Sequence, residues 1–424
     1  MKNFVIIGNS ASGTAAADEI RKIDKSTNIV IVSDEQGPAY SRCLLTYYIM
    51  GRINRSQLTF RDAGFYKTHG IALNSGGRVV RIERKNKKVV LQNKDEVSYD
   101  KLLIATGAAA KVPPIFRDNE NSSFTLRTID DAEKIIMKLN KVDAAAVLGA
   151  GLIGMKIAHM LKENGKKVFV IARSNHILSQ MLDAASAEFL TSLISNEAQI
   201  LTGQDVQEAI WSGKTLTGLR LLNNNIINCG MVIAAKGVVP NTEIASEAGL
   251  SVNKGISVDE TMKTSDKDIY AAGDAAETTD FFTGRKEIKG LWTTAVEQGR
   301  IAGKNMAGRH TVCNGAISMN SMECFGIPCI SAGSLHDGCS CVQEYRNDVR
   351  KVLRRIFVQD SRIVGFVTIG DIQFAGMLNH LLQEKIDISS LQANLSSAKL
   401  SRADILKCIG EDEIISSMGT ERGK

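Results

Sequence analysis

The strongest candidate binding motif of the sequence is the glycine-rich segment GAGLIG (residues 149–154). It follows the apolar segment AAAVL and precedes a helix-like segment, after which the strand-like VFVIA begins. In such a β-α-β unit the glycines let the backbone approach a pyrophosphate, which lies at the helix N-terminus. The spacing therefore predicts a dinucleotide site whose residues are Gly149, Gly151, Leu152, Ile153 and Gly154.

The end of the second strand of this unit bears on which dinucleotide binds. Ala172 stands where a binder of NAD usually has aspartate or glutamate, and Arg173 and Ser174 follow it. A carboxylate at this position hydrogen-bonds the free 2′-hydroxyl, whereas a nearby arginine accommodates a 2′-phosphate. The pattern favours NADPH, and NADH with Arg173 as a solvated loop charge stays open. Gly237 in the later segment MVIAAKGVVPN is expected at the same nucleotide.

A second glycine-rich turn, GNSASG (residues 8–13), follows the first strand-like segment of the chain. Serine stands in place of the middle glycine, which weakens the match, but a small side chain still admits a phosphate. The next apolar segment ends in Asp34 and Glu35, and a carboxylate there can bind a ribose diol. The residues predicted to line this second site are Gly8, Ser10, Ala11, Gly13, Asp34 and Glu35.

Composition sets the frame for these two sites. The 424 residues are enough for two or three domains, and 44% hydrophobic with 23% charged residues is ordinary globular composition. A net charge of +6 is mildly basic and far from the clustered charge expected of a nucleic-acid binder. No apolar run reaches the length of a membrane span and no signal peptide is evident, so we expect a cytoplasmic protein without a disulfide framework.

The order of motifs GNSASG, YDKLLIATGA, GAGLIG, KGVVPN and ISVDETMKTSDKDIYAAGD resembles the pyridine nucleotide–disulfide oxidoreductase superfamily. The resemblance covers residues 1 to about 310. It implies an α/β fold with two Rossmann-like dinucleotide-binding domains, one for FAD and an inserted one for NAD(P), and a C-terminal α+β interface domain. The boundaries expected are 1–112 with 241–308 for FAD, 113–240 for NAD(P) and 309–424 for the interface domain.

The same resemblance implies further FAD residues. Thr106 and Gly107 would close over the cofactor, and Asp274, after Gly273, would bind its ribityl chain and pyrophosphate side. A helix beginning near Trp292 and Thr293 would direct its positive N-terminus at the flavin, where it stabilises a reduced, anionic ring. Ordinary core packing of the tryptophan is the alternative.

The segment YSRCLLTYYIMG (residues 40–51) lies between two branches of the superfamily. Tyr40, Arg42 and the pair Leu45-Thr46 resemble the cysteine-independent pattern of rubredoxin reductases and of the flavin portion of assimilatory nitrite reductases. Cys43 stands where NADH oxidases, peroxidases and coenzyme A disulfide reductases have a redox thiol, and Arg42 is the neighbouring cation that could activate it. The resemblance implies FAD contact for Arg42, and either a redox role or packing for Cys43.

Two other features depart from the family pattern. Lys156 replaces the glutamate that many relatives have near the nicotinamide, so it is either a candidate catalytic residue or a helix-surface lysine. Several cysteines lie late in the chain, and their spacings fit neither ferredoxin nor zinc patterns, so no metal site is predicted and buried thiols are favoured over a cluster or a CFGIPC disulfide. These late cysteines are Cys313, Cys324, Cys329, Cys339 and Cys341.

The implied function is a FAD-dependent NAD(P)H oxidoreductase that passes electrons to a ferredoxin- or rubredoxin-like protein or to a partner subunit. The alternatives are a Cys43-dependent NAD(P)H oxidase, peroxidase or coenzyme A disulfide reductase, direct reduction of oxygen by the flavin, and a FAD subunit of a larger complex with little activity alone. A homodimer or a hetero-complex is expected.

Late in the chain, the segments KVLRRIFV and RIVGFVTIG predict a hairpin that turns at Asp360 and Ser361.

Overall fold

A computed structural model of the chain describes residues 1–116, 123–281, 284–315, 319–335 and 339–410. The chain divides into two compact units. The first, called unit 1 below, consists of Met1–Lys111, Leu126–Ile136 and Gly237–Ile317. The second, unit 2, consists of Val112–Thr125, Met137–Lys236 and Ser318–Lys424.

The α-helices include, in chain order, α1 Ala11–Ile23, α2 Leu45–Ile49, α3 Ala63–Thr68, α4 Ile129–Leu139, α5 Leu152–Glu163, α6 Ala184–Leu193, α7 Glu243–Glu247, α8 Trp292–Met306 and α9 Ala375–Gln383. Short 3-10 turns occupy Arg42–Leu44, Arg55–Leu58, Pro114–Phe116, Gly273–Ala275 and Gln392–Asn394. Within the described residues, no helix has both the length and the apolar character that crossing a membrane requires.

The strands are β1 Asn3–Ile7, β2 Asn28–Ser33, β3 Ile71–Ser75, β4 Val79–Glu83, β5 Lys88–Leu91, β6 Glu96–Ser98, β7 Lys101–Ile104, β8 Ala108–Ala110, β9 Ser123–Phe124, β10 Ala144–Leu148, β11 Lys167–Ile171, β12 Gln199–Leu201, β13 Val206–Ser212, β14 Thr215–Leu221, β15 Ile226–Asn228, β16 Met231–Ala234, β17 Val238–Pro240, β18 Ile256–Ser257, β19 Ile269–Ala271, β20 Ala276–Thr279, β21 Lys286–Glu287, β22 Met319–Cys324, β23 Ile327–Gly333, β24 Cys341–Asn347, β25 Val352–Gln359 and β26 Arg362–Ile369.

Unit 1 is built on a parallel sheet of five strands in the order β19-β7-β1-β2-β3. Its central strand β1 pairs with β2 on one side and β7 on the other, and its four residues from Phe4 to Ile7 are buried. Continuous apolar strands of this kind are buried on both faces, as parallel sheets require. The strand β1, helix α1 and strand β2 form the first predicted β-α-β unit, which places the turn at residues 8–13 at the carboxyl edge of the sheet.

Helices α1 and α8 pack against each other through glycines. A Cβ atom at Gly299 would overlap the backbone oxygen of Ser12, and one at Gly303 would overlap that of Ala16. Small residues let two helix backbones approach this closely. The contact joins the helix that follows the first glycine-rich turn to a helix from a distant part of the sequence.

Unit 2 contains a second parallel sheet, in the order β12-β11-β10-β16-β9, and an antiparallel sheet β22-β23-β26-β25-β24. The parallel sheet with α5 forms the second predicted β-α-β unit, and the fold class predicted from sequence is therefore confirmed. The predicted hairpin is also confirmed, because β25 pairs antiparallel with β26. Asp360 and Ser361 both have positive φ, 48° and 55°, which matches the twist of a tight two-residue hairpin turn.

A buried arginine ties the chain after α9 to the antiparallel sheet of unit 2. Arg354 in β25 is only 6% exposed and donates to the backbone oxygens of Leu395, at 3.0 Å, and Ser397, at 2.7 Å. Its guanidinium also lies over the rings of Tyr345 and Phe374. Burial lowers the pKa of this side chain from its ordinary value. The arginine thus serves as a hydrogen-bonded anchor inside the unit.

Candidate functional site

The turn after β1 has the backbone of a pyrophosphate cradle. Gly8 has φ +118°, a conformation that favours glycine, and a Cβ atom there would overlap the backbone oxygen of Ala105. A Cβ atom at Gly13 would overlap the oxygen of Gly8. The two glycines therefore allow the turn, the start of α1 and the end of β7 to pack at backbone distance.

Ser10 occupies the N-cap position of α1. Its backbone is extended and its side chain makes no capping hydrogen bond. Ala11 begins the helix and is buried, and the first turn contains no acidic residue. The orphan N–H groups of a first helical turn carry partial positive charge and accept an anion. The small residues and the helix end together fit a phosphate group at the place where the sequence predicts it.

Glu35, at the end of β2, is engaged by two neighbours. Its carboxylate accepts hydrogen bonds from the Arg42 guanidinium and from the Tyr40 hydroxyl. Asp34 beside it is exposed. Burial, partly offset by the charge of Arg42, raises the pKa of Tyr40 above its ordinary value, so this phenol stays protonated and donates. The structure thus brings Glu35, Arg42 and Tyr40 together in unit 1, and Asp34 is exposed beside Glu35.

Arg127 is a residue of this site that sequence reasoning missed. Its Nη2 donates to Oδ2 of Asp274 at 3.2 Å, and its backbone oxygen accepts from Arg42. Its Nε is buried with no hydrogen-bond partner in the described part of the chain. A half-buried cation with an unused buried donor, beside a glycine cradle and a helix N-terminus, fits the charge of a pyrophosphate.

A local signal for Arg127 exists in the sequence. It precedes the segment TIDD, in which the Thr128 hydroxyl accepts from Asp131 N–H at 3.1 Å and the Asp131 carboxylate accepts from Thr128 N–H at 3.1 Å. This reciprocal capping is a signature of a helix start. An arginine just ahead of such a start is held at the N-terminal end of α4. Its partner Asp274 lies too far along the chain to be predicted from a motif.

Thr106 and Gly107 are fixed by an asparagine that comes much later in the chain. The Thr106 hydroxyl donates to the backbone oxygen of Asn241 at 2.7 Å, and the Asn241 amide group donates back to the Thr106 oxygen at 2.9 Å. The backbone N–H of Asn241 donates to Gly107. These bonds extend the short pairing of β8 with β17 and hold the loop after β7 in one shape.

The region around Asp274 is held by a buried glutamine. Gln298 of α8, 1% exposed, accepts from the Gly273 N–H at 2.8 Å and donates to the Thr278 hydroxyl at 3.1 Å. Gly273 has φ +77°, and a Cβ there would crowd the Ser12 hydroxyl. The turn that carries Asp274 is therefore fixed to both α1 and α8.

The N-terminus of α8, like that of α1, has no side-chain cap. Its N-cap residue is Leu291, its first turn has no acidic residue, and Thr293 is exposed. Trp292 packs edge to face against Phe60, with ring centroids 5.0 Å apart. The predicted helix start near Trp292 is confirmed, and the tryptophan has a packing partner as well as a place at the helix end.

Cys43 lies in the 3-10 turn Arg42–Leu44 and is an exposed free thiol. The guanidinium of Arg42 is committed to Glu35 and to the Arg127 oxygen. The position therefore gives an accessible sulfur next to an arginine that already has two partners.

The second glycine-rich turn repeats the backbone of the first. Gly149 has φ +117°, where a Cβ would overlap the backbone oxygen of Ala235, and a Cβ at Gly154 would overlap the oxygen of Gly149. Gly151 is the N-cap of α5 and so offers no side chain that could cap the helix. Leu152 is half-buried and Ile153 is 45% exposed. The five residues named from sequence lie together at the carboxyl edge of this parallel sheet.

A carboxylate that the motif analysis missed lies near the end of β11. Ala172 is buried, while Arg173 forms an ion pair with Asp205, which also pairs with Lys236. Burial opposes ionisation of Asp205, but hydrogen bonds from Lys236, the Val206 N–H and Arg173 outweigh it and lower the pKa of this carboxyl. The group is therefore an anion held between two cations.

Lys156 and Gly237, the two remaining residues predicted at the NAD(P) site, lie outside the glycine turn. Lys156 is half-buried on α5 and has no ion-pair or hydrogen-bond partner among the described residues. Gly237 has φ +90° and accepts from the Lys111 N–H at 3.0 Å, within unit 1.

The late cysteines are distributed along the antiparallel sheet and its approach. Cys324 and Cys329 lie opposite Ile327 and Met322 in the β22–β23 hairpin as fully buried free thiols. In the described residues, no three His, Cys, Asp or Glu side chains converge as metal ligands.

Comparison with known proteins agrees with the two nucleotide-binding turns. Residues 2–299 match the family model described as pyridine nucleotide-disulphide oxidoreductase. A protein of Methanocaldococcus jannaschii described as NADH oxidase is 31% identical over 91% of this chain and 90% of its own length.

Two further comparisons cover nearly the whole chain. The assimilatory nitrate reductase electron transfer subunit of Bacillus subtilis is 28% identical over 92% of this chain, which spans only 50% of that relative. An engineered water-forming NADPH oxidase, solved with NADPH bound, has the same fold, with a TM-score of 0.84 at 20% identity, covering 98% of this chain and 100% of that one. With two glycine cradles in the positions the motifs predict, the chain belongs to the pyridine nucleotide-disulphide oxidoreductase family and is an NAD(P)H-dependent flavoprotein oxidoreductase.

Proposed function

We propose that this protein takes electrons from NAD(P)H and passes them through FAD to a small redox protein or a partner subunit. The observation that carries the proposal is the set of groups gathered in unit 1 around the first glycine turn. These are the α1 helix end, Arg127 with its unused buried donor, and Asp274. They offer positive charge for a pyrophosphate and an acceptor for hydroxyl groups, as FAD would require.

The residues would share the work of holding FAD. Arg127 and the α1 N-terminus would bind the pyrophosphate, Asp274 would accept from the ribityl hydroxyls, and Glu35 would face the ribose while Arg42 holds its carboxylate. The chemistry that bound FAD supplies is uptake of a hydride and release of its electrons one at a time. The uncapped end of α8 would favour negative charge close to it.

The acceptor is proposed from the segment around Cys43 and from a relative. Tyr40 and Arg42 are tied to Glu35, so this segment already has a structural task that needs no thiol chemistry. The Bacillus subtilis relative is described as an electron transfer subunit. A flavoprotein that hands electrons to another redox centre fits both observations.

A second candidate has a specific observation in its favour. Cys43 is exposed and free, and the Methanocaldococcus jannaschii relative is described as NADH oxidase. Under this alternative the thiol of Cys43 takes part in reduction of oxygen, peroxide or coenzyme A disulfide. Replacement of Cys43 by serine separates the two candidates.

Within the proposed function we infer that NADPH is the preferred donor. The engineered NADPH oxidase carries alanine, arginine and serine in place of aspartate, alanine and methionine at three consecutive positions. This chain has Ala172, Arg173 and Ser174 in the same order. The spacing from the engineered enzyme's replaced glycine to the first of the three equals that from Gly154 to Ala172. Loss of the carboxylate and gain of an arginine favour a 2′-phosphate.

The experiment is an anaerobic titration of the purified protein with NADPH and with NADH, followed through the flavin absorbance. We expect bleaching by both, with tighter and faster reduction by NADPH. Ferricyanide and a ferredoxin should then reoxidise the flavin at the same rate in wild type and in Cys43→Ser. A flavin that neither nucleotide bleaches would refute the proposal, and loss of ferricyanide turnover in Cys43→Ser would favour the second candidate.

A further inference from the structure

Asp205, Arg173 and Lys236 come from three different segments that meet at one edge of the unit 2 parallel sheet. Arg173 follows β11 and Lys236 follows β16, and these strands flank β10, which ends in the Gly149 turn. The turn itself touches the Lys236 segment, since a Cβ atom at Gly149 would lie 3.4 Å from the backbone nitrogen of Lys236. The Lys236 segment therefore borders the cradle that the pyrophosphate of a nucleotide would occupy, and Arg173 is joined to Lys236 through Asp205.

Asp205 joins these cations through both of its oxygens. Oδ1 accepts from Lys236 and from the Val206 N–H, the latter at 2.9 Å, while Oδ2 accepts from Arg173. The Asp205 side chain is 5% exposed. Its carboxylate is thus buried and already accepts from three donors, so it is poorly placed to bind a ribose hydroxyl.

The loop that carries Arg173 is fixed by backbone hydrogen bonds. Ala172 bonds to Leu201 and to Gln204, at 3.0 and 2.9 Å, so the end of β11 is held against the β12 segment. The N–H of Leu178 donates to Ala150 of the glycine turn at 2.7 Å. Arg173 accordingly projects from a fixed platform next to the cradle.

The cations keep donors for a ligand. Arg173 bonds to Asp205 through Nε, its two terminal nitrogens have no other partner in the described part of the chain, and 80% of its side chain is exposed. Lys236 has three donor hydrogens and is 23% exposed. With one carboxylate between two cations, the cluster has a net charge of +1, which attracts a phosphate dianion and offers nothing specific to a neutral diol.

We propose that Arg173 and Lys236 together bind the 2′-phosphate of NADPH, and that Asp205 is the positioning residue that holds both cations beside the glycine cradle. The inference rests on the NADPH preference in the proposed function and assigns Lys236 and Asp205 a part in it. One carboxylate bridging the two side chains places their nitrogens close enough for a single phosphate to contact both.

The test is calorimetric binding of 2′-AMP and 5′-AMP to the FAD-loaded protein and its variants. Lys236→Gln keeps a donor for Asp205 but loses the charge, and we expect it to weaken 2′-AMP on the order of 10-fold, the value of one charge-assisted hydrogen bond. Binding of 5′-AMP should stay unchanged, which shows that the site is folded. Lys214→Gln, in the exposed turn between β13 and β14, is the matched control and should bind both as wild type does.

Asp205→Asn tests the positioning role by the sign of its effect. Removal of a negative charge alone would tighten 2′-AMP, whereas loss of the positioned cations weakens it, and weakening is the result we expect. Wild-type affinity in Lys236→Gln, or tightening in Asp205→Asn, would overturn the inference while leaving the electron path intact. Preference of the wild type for 5′-AMP and NADH would refute the NADPH preference as well, and a flavin unreduced by either nucleotide would refute the proposed function itself.

Discussion

Arg127 donates a hydrogen bond from Nη2 to Oδ2 of Asp274 at 3.2 Å, and joins the segment before α4 to the turn after β19. Because the Nε of Arg127 is buried without a partner among the described residues, the guanidinium has capacity for a further anion. We expect Arg127→Gln to weaken FAD retention on the order of 10-fold, since it removes one charge-assisted contact. The ratio of flavin to protein absorbance after dilution and gel filtration measures this.

The control for that prediction is Arg55→Gln. Arg55 also pairs with a carboxylate, Glu133, but its side chain is 64% exposed and lies on the surface of unit 1. Exposed ion pairs contribute little. Equal flavin loss in both variants would mean that Arg127 acts only through general stability.

Cys43→Ser should leave NADPH–ferricyanide turnover within about twofold of wild type, because the surrounding Tyr40 and Arg42 are held by Glu35 rather than by the sulfur. Stopped-flow absorbance adds an independent readout. A long-wavelength charge-transfer band in the reduced wild type, absent from the serine variant, would contradict this expectation and support the thiol-dependent candidate.

Buried thiols should not react with a thiol reagent in the native protein. Burial raises the pKa of Cys229, Cys324 and Cys329 to about 12, so almost no thiolate is present near pH 8. Cys43 is exposed and should react first. Ellman titration before and after addition of urea tests this, and a rapid native reaction that survives in Cys43→Ser would contradict it.

The stability contributed by Asp205 should depend on pH in a defined direction. Its pKa is lower in the folded protein than the ordinary value, so its stabilisation is fully present above that value and is lost as the pH falls through the native pKa. The difference in unfolding free energy between wild type and Asp205→Asn should therefore be constant above about pH 5 and shrink below about pH 4. Urea unfolding at several pH values measures it, and a difference that grows on acidification would be the opposite result.

Arg354 should be important for stability rather than for redox chemistry. Arg354→Met leaves the backbone oxygens of Leu395 and Ser397 without their donor, and should cost about 2–4 kcal/mol of unfolding free energy. Arg354→Lys keeps the charge but not the forked geometry and should fall in between. Flavin content should not change in either variant, and urea unfolding followed by circular dichroism gives the free energies.

Local patterns predicted what depends on neighbouring residues. Both glycine turns and the hairpin at Asp360 and Ser361 were evident because each signal lies within one short segment, whereas the helix that begins at Trp292 was expected from the family resemblance. The pairs Arg127–Asp274 and Asp205–Lys236 were not, since their partners are 147 and 31 residues apart and come together only through sheet topology. A motif predicts the shape of a short backbone segment, whereas the partner of a charged side chain depends on the tertiary fold.

The glycine contact between α1 and α8 has a consequence for how the protein is made. Ser12 and Ala16 of α1 contact Gly299 and Gly303 of α8. The helix that follows the first glycine turn therefore packs against residues synthesised near the end of unit 1. Closing such a long loop is entropically costly, and contacts distant in sequence form late. During synthesis on the ribosome, the contact between α1 and α8 cannot form until residues 112–236 and α8 itself have emerged. The proposed FAD site is therefore expected to be among the last parts of unit 1 to form, after the glycine turn at residues 149–154, whose partners lie within one continuous stretch of the chain.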